Sequence, residues 1–189
     1  ILEELFKNLH VEVPRRTMAV LSFGKCPAAV FFRRTCEVGF GLEDQDFLLG
    51  RQLKPEARRD MIELFAKNQL VPTAMIDISD GLASEIFHLC QQSGTGAFVE
   101  ESGVPIHPDA ELMALKFQLD PITCALSGGE DYELLFTIDP ADVDKVKYLP
   151  DIYIMGEMTR PEDGIKLHTK GGNIHPIKAQ GWRHFGGGA

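Results

Sequence analysis

The sequence predicts an α/β domain built in layers, and two observations carry that prediction. From about residue 45 onward, segments with apolar residues at helical spacing alternate with short runs of strand character. Proline or glycine stands at most of the handovers between them, where a helix or strand must stop. The composition fits: 189 residues, 44% hydrophobic and 25% charged, suit one domain or one and a half of an ordinary globular chain.

The first 44 residues read differently from the rest. Leu2, Leu5, Phe6 and Leu9 share one face of a short helix over residues 1–10. Residues 11–41 follow neither a helical nor a strand period, and their Arg15, Arg16, Arg33 and Arg34 read as a solvated surface. Residues 1–44 are therefore expected to be an atypical segment, a remnant or a divergent one, poorly ordered in part. The folded domain is expected over 45–185, with 186–189 a loose tail. The chain opens on Ile1 rather than Met, which carries the expectation that the start of the protein is missing.

Beyond residue 45, Pro55 opens a helix at the position proline tolerates. Ala57, Met61, Leu64 and Phe65 continue it to about residue 68, and Pro72 ends it. Residues 73–76 read as a short buried strand and 77–81 as a turn. The next helix has Leu82, Ile86, Leu89 and Cys90 on one face and Gly94 at its C-terminal stop. Residues 96–100 form a strand and 109–119 a helix. Tyr132, Leu134, Phe136 and Ile138 alternate along a strand, and 140–148 is helical. Strands follow at 152–158 and 165–169, and Lys170-Gly171-Gly172-Asn173 is a hairpin turn before a strand at 174–177. The sheet is expected to be mixed and packed against helices.

Charge and cysteine usage exclude several classes. A net charge of −9 argues against a general nucleic-acid binder, which needs clustered Lys and Arg. An acidic chain that handles phosphates recruits a divalent cation, so the balance permits a magnesium–nucleotide enzyme. Cys26, Cys36, Cys90 and Cys124 contain no C-x-x-C pair, which disfavours zinc, and Cys90 falls on an apolar helical stripe, where a buried reduced thiol is expected. No run of 18 apolar residues predicts a membrane span.

Two segments carry chemistry. In Asp77-Ile78-Ser79-Asp80-Gly81, two carboxylates three apart flank a hydroxyl where a strand hands over to a helix. Such hard oxygens suit Mg²⁺, and free N–H groups at a helix start help bind phosphate. The competing reading is that Ser79 or Asp80 caps the helix. The order is also close to the D-x-D-G of aspartyl-phosphate phosphatases, but one residue too many precedes the glycine, and in the other register Leu82 replaces the second Asp. In Ser127-Gly128-Gly129-Glu130-Asp131-Tyr132, two glycines free a tight loop with exposed N–H donors, and two acids follow at the mouth of a strand. Solvated acids in a strand-entry turn are the plainer alternative. There is no P-loop, no G-x-S-x-G and no H-E-x-x-H. His88, on a helix, reads as a satisfied structural histidine, and the single tryptophan, Trp182, as core before ring-stacking surface.

Together these segments resemble the thiamine-monophosphate kinases. The resemblance rests on Arg51-Gln52-Leu53-Lys54-Pro55-Glu56-Ala57-Arg58, on Met75-Ile76-Asp77-Ile78-Ser79-Asp80-Gly81-Leu82, on Ala125 through Thr137, and on Gly181-Trp182-Arg183-His184-Phe185. It spans about residues 45–185 and implies the fold of the aminoimidazole-ribonucleotide-synthetase-like C-terminal domain. It implies a cytoplasmic enzyme that moves the γ-phosphoryl group of ATP onto thiamine monophosphate. By position, Asp77 and Asp80 would hold Mg²⁺, Ser79 would contact ATP, and Glu130 and Trp182 would contact the thiamine substrate. No phospho-enzyme is implied, so positioning and charge neutralisation would carry the reaction.

The departures lie upstream. The resemblance implies an N-terminal domain with further metal-binding aspartates, a G-D-T segment and the interface of a homodimer, and none of these is legible here. A T-G-x-L-G-like loop expected within 11–41 is also absent, so that stretch reads as a deletion, a divergent insertion or a reading-frame error. The chain alone is accordingly expected to turn over little substrate. Competing readings are another enzyme of the same superfamily, such as an aminoimidazole ribonucleotide or selenophosphate synthetase, and a non-catalytic module that binds thiamine phosphate or nucleotide.

Overall fold

The structure, a computed structural model, describes residues 48, 50, 51 and 54–178, and the backbone of residues 16–21. Seven strands form one mixed sheet: β1 (Arg16–Leu21), β2 (Ala74–Asp77), β3 (Gly96–Glu100), β4 (Leu134–Ile138), β5 (Ile152–Thr159), β6 (Ile165–His168) and β7 (Ile174–Pro176). Their order is β2-β4-β1-β5-β3-β6-β7. Every neighbouring pair is antiparallel except β3 and β6. The described helices include α1 (Asp60–Lys67), α2 (Leu82–Ser93), α3 (Pro108–Lys116), α4 (Pro121–Ser127) and the single turn α5 (Val143–Val146).

Strand alternation divides the core into two layers. Along β4, Leu135 faces α2 and packs with Leu82, Ile86, Leu89, Val99 and Met155. Phe136 and Ile138 belong to the other layer, with Met61 and Phe65 of α1 and Val146 of α5. The Phe65 and Phe136 rings meet edge to face at 5.2 Å, a favourable arrangement of aromatic quadrupoles. A third cluster joins Ala110, Met113 and Ala114 of α3 to Cys124 of α4. Helix α2 ends as its glycine predicts, with Gly94 in the left-handed region.

One irregularity keeps β5 in register with both layers. Met18 pairs with Gly156 while Ala19 pairs with Ile154, so Met155 is an extra, bulged residue. The bulge changes the parity of the strand: Ile152 belongs to the α1 layer, whereas Met155 and Met158 both belong to the α2 layer. Gly156 is required beside it, because a Cβ there would run into the Phe98 carbonyl of β3.

Several expectations need correction. Residues 11–41, read as lacking strand character, contain β1, which pairs with both β4 and β5 in the interior of the sheet. A strand with neighbours on both sides need not alternate, and the apolar run Met18-Ala19-Val20-Leu21 carries the signal instead. The helix expected from Pro55 begins at Asp60. Arg58 is drawn into the interior ahead of it, and the acids Asp60 and Glu63 then occupy the helix's first turn, where the helix dipole favours them. Helix α4 was not expected at all; its seven residues are too short to display a period. The helix over 140–148 shrinks to a 3₁₀ turn (Pro140–Asp142) followed by α5. His88, read as a satisfied structural histidine, is exposed on α2. Cys90 is buried and free as expected, and burial pushes its thiol up to about 11. Cys26, Cys36, the helix over 1–10 and the tail lie outside the described residues. Among the described residues no helix is long and apolar enough to cross a membrane.

The Phe136 contact sets a testable magnitude. Phe136→Ala should destabilise the fold by about 3–5 kcal/mol in urea denaturation, and Phe136→Leu by clearly less, because the alanine leaves a cavity between sheet and α1.

Candidate functional site

The two motif segments meet. Strand β2 ends at Asp77, paired with Leu134 of β4. Beyond that pair the ladder continues between irregular segments. The Ile78 N–H donates to the Glu133 carbonyl at 2.8 Å, the Tyr132 N–H to the Ile78 carbonyl at 2.9 Å, and the Glu130 N–H to the Ser79 carbonyl at 2.7 Å. The Asp77–Gly81 turn and the Ser127–Tyr132 loop are therefore one interlocked surface at the N-terminus of α2.

Two glycines make this approach possible. A Cβ on Gly129 would collide with the Ser79 carbonyl oxygen, and one on Gly81 would sit 2.9 Å from the Gly128 carbonyl oxygen. Gly81 also has φ +119°, a conformation L side chains rarely adopt. The loop holds Glu130 at φ 63° and Tyr132 at φ 52°, each costing on the order of 1–3 kcal/mol for a non-glycine residue. The hydrogen bonds of both amides to the facing turn fix those conformations.

The carboxylates divide into exposed and buried. Asp77 and Asp80 are exposed, and among the described residues neither side chain makes a hydrogen bond or ion pair. The N-cap of α2 is Gly81, so neither Ser79 nor Asp80 takes the capping role that competed with ligand binding. The Asp80 N–H is not free for phosphate: it donates to Glu85 Oε1 at 3.1 Å, and the Ser79 hydroxyl approaches the same oxygen at 3.4 Å. Glu130 is half-buried, and Trp182 lies outside the described residues. Ser79 and Glu130 are thus brought side by side, with Asp77 and Asp80 on the same turn. Among the described residues no three or more His, Cys, Asp or Glu side chains gather closely enough to hold a metal.

Behind the loop lies a buried ionic cluster that residue pattern alone does not reveal. Glu133, at the mouth of β4, receives Arg51 Nη2 on Oε1 at 2.7 Å and Arg58 Nη1 on Oε2. Arg58 also forks onto Asp60 at 3.1 and 3.0 Å. The Arg58 and Glu133 side chains are 4% and 3% exposed. The Arg51–Arg58 segment thus acts structurally, because its two arginines hold Glu133, the residue from which the loop departs. Asp131 is buried too, with Oδ2 unpartnered. Burial first, and the nearby Glu133 second, hold its carboxyl well above the ordinary carboxylate range, against the opposing pull of Arg51. Glu85 was also missed, although a signal existed: an acid standing on the apolar stripe of Leu82, Ile86 and Leu89.

Two outcomes follow. Gly129→Ala should lower stability by about 1–3 kcal/mol in thermal denaturation, since its methyl group forces the two segments apart. For Asp131 the native state holds the proton more tightly than the unfolded chain. The stability this contributes is complete below about pH 4 and is lost as pH rises through the raised native value. Asp131→Asn should therefore gain melting temperature relative to the parent at pH 8 compared with pH 4.5; a difference independent of pH would mean that Asp131 titrates normally.

No family model matches the chain. The thiamine-monophosphate kinase of Aquifex aeolicus is 35% identical over 138 residues, covering 73% of this chain and 41% of the relative; that of Escherichia coli is 37% identical over 151 residues, covering 76% and 44%. Among solved structures, AaThiL complexed with AMPPCP and TMP superposes with a TM-score of 0.70 at 27% identity, over 91% of this chain and 52% of that one. The hydrogenase maturation protein HypE in complex with ATP superposes at 0.62 with 15% identity, over 89% and 52%, a likeness of fold alone. The mixed sheet with helices on its faces is thus the aminoimidazole-ribonucleotide-synthetase-like fold that the resemblance implied. The chain spans less than half the length of these curated relatives, and over most of its own length it is a relative, in sequence and in fold, of the thiamine-monophosphate kinases.

Proposed function

We propose that this chain supplies part of an ATP-dependent thiamine-monophosphate kinase site, in which the γ-phosphoryl group of ATP passes to thiamine monophosphate to give thiamine diphosphate. The observation that carries the reading is the interlocking of Asp77-Ile78-Ser79-Asp80-Gly81 with Ser127-Gly128-Gly129-Glu130-Asp131-Tyr132, supported by kinase relatives at 35% and 37% identity. The relative whose structure carries AMPPCP and TMP supports nucleotide and thiamine phosphate as the two ligands.

Asp77 and Asp80 fit a magnesium ion in chemistry: they are exposed carboxylates on one turn, and no cation among the described residues neutralises them. Two carboxylates are fewer than the roughly six oxygens Mg²⁺ takes, which accords with a metal that shares its ligands with phosphate and water. Bound there, Mg²⁺ would supply charge neutralisation on the phosphates. A main-chain hydrogen bond joins Ser79 to Glu130, which supports a nucleotide contact close to the substrate contact. Trp182 is assigned to the thiamine ring by resemblance. The reaction is assigned to the cytoplasm, and homodimerisation to the full-length enzyme, on the same ground.

A thermal-shift titration with thiamine monophosphate, with and without Mg-ATP, tests the reading. A ligand of the native state at about 100 times its Kd should add about 2.7 kcal/mol of stability. The Mg-ATP shift should vanish in the Asp77→Ala, Asp80→Ala double variant. No shift with either ligand would overturn the proposal that this chain carries a competent part of the site.

A further inference from the structure

We propose that Glu85 is a positioning residue that fixes the metal-binding turn from beneath, an inference that rests on the assignment of Asp77, Ser79 and Asp80 to magnesium nucleotide. Glu85 is 2% exposed and lies one turn into α2, on the stripe that otherwise packs Leu82, Ile86 and Leu89 into the core. An acid buried there needs a reason, since desolvating a carboxylate is costly unless polar groups satisfy it. Its partners are specific: Oε1 accepts from the Asp80 backbone N–H at 3.1 Å and lies 3.4 Å from the Ser79 hydroxyl.

The contact resembles the returning half of a capping box, in which an acid inside the helix reaches back to an N–H ahead of it. Here the residue being held is not a cap. Gly81 occupies the N-cap and has no side chain, so the turn before it has no capping side chain of its own. The Glu85 carboxylate takes that part from inside the helix. It sets the backbone at Asp80 and draws the Ser79 hydroxyl inward, leaving the Asp77 and Asp80 carboxylates facing solvent. On the opposite side the Ser79 carbonyl accepts from Glu130 N–H. The turn is therefore gripped from two directions, by α2 below and by the glycine loop alongside.

A residue serving only the helix would affect stability; a positioning residue must also affect ligand affinity in molecules that remain folded. The test compares Glu85→Ala and Glu85→Gln in the full 189-residue chain, below the melting temperature of the weaker variant. Calorimetric titration with Mg-ATP is paired with amide hydrogen exchange of Asp80 and of the central α2 amides. Gln retains an oxygen acceptor for the Asp80 amide. The expected result is a loss of about tenfold or more in Mg-ATP affinity for Glu85→Ala, with Glu85→Gln within about threefold of the parent, in line with a hydrogen bond to a charged group. Exchange at Asp80 should speed up in Glu85→Ala while the centre of α2 stays protected. Parental affinity in folded Glu85→Ala, or unchanged exchange at Asp80, would overturn the proposal. If the parent chain itself binds no Mg-ATP, the nucleotide reading fails separately. The exchange measurement then decides: selective loss of Asp80 protection supports the grip on the turn, and its absence refutes it.

Discussion

The architecture of the site depends on a close approach of backbone to backbone. The Asp77–Gly81 turn and the Ser127–Tyr132 loop lie so near each other that no side chain fits at Gly81 or Gly129. The β2–β4 ladder continues through both segments by hydrogen bonds from Ile78, Tyr132 and Glu130. Because these bonds are made by the main chain, they are indifferent to the side chains around them. The Asp77, Asp80 and Glu130 side chains are thus not needed to hold the two segments together, and the glycines and the sheet supply the geometry.

Rigid support comes from behind. Two arginines converge on Glu133, and the Phe65–Phe136 contact anchors β4 to α1 only a few residues on. Removing one partner of such a buried pair typically costs about 3–5 kcal/mol, because the other charge is left uncompensated. The cluster is thus a weak source of net stability and a strong constraint on conformation. The positive φ values at Glu130 and Tyr132 persist because both ends of the loop are held.

Much of the fold is legible in the residue pattern where local signals agree. Strand β3 coincides with its expected range, and Gly94 ends α2 as anticipated. Elements fail to show where tertiary partners override local preference. Pro55 marks a helix start, but Arg58 is committed to Glu133, so the helix begins later, at Asp60. Strand β1 hides because it lies inside the sheet, where alternation is not imposed. The exposed members of the site are visible from residue type and spacing. The structural roles of Arg51, Arg58, Asp131 and Glu133 are not legible from the segments that contain them, because they depend on contacts between parts distant in the chain, whereas Glu85 left a signal as an acid on an apolar stripe.

The place of β1 in the sheet also bears on how the protein is made. It is the earliest described strand to leave the ribosome, yet its two hydrogen-bonding neighbours, β4 and β5, belong to the far end of the chain. Its edges have no partner until β4 and then β5 have emerged, and only then does β1 join the two halves of the sheet. Pairing β1 with β4 closes a long loop, a contact of high sequence separation that is intrinsically slow to form. Until then an apolar run with open edges is a template for pairing with other chains, the general hazard of partly assembled sheets.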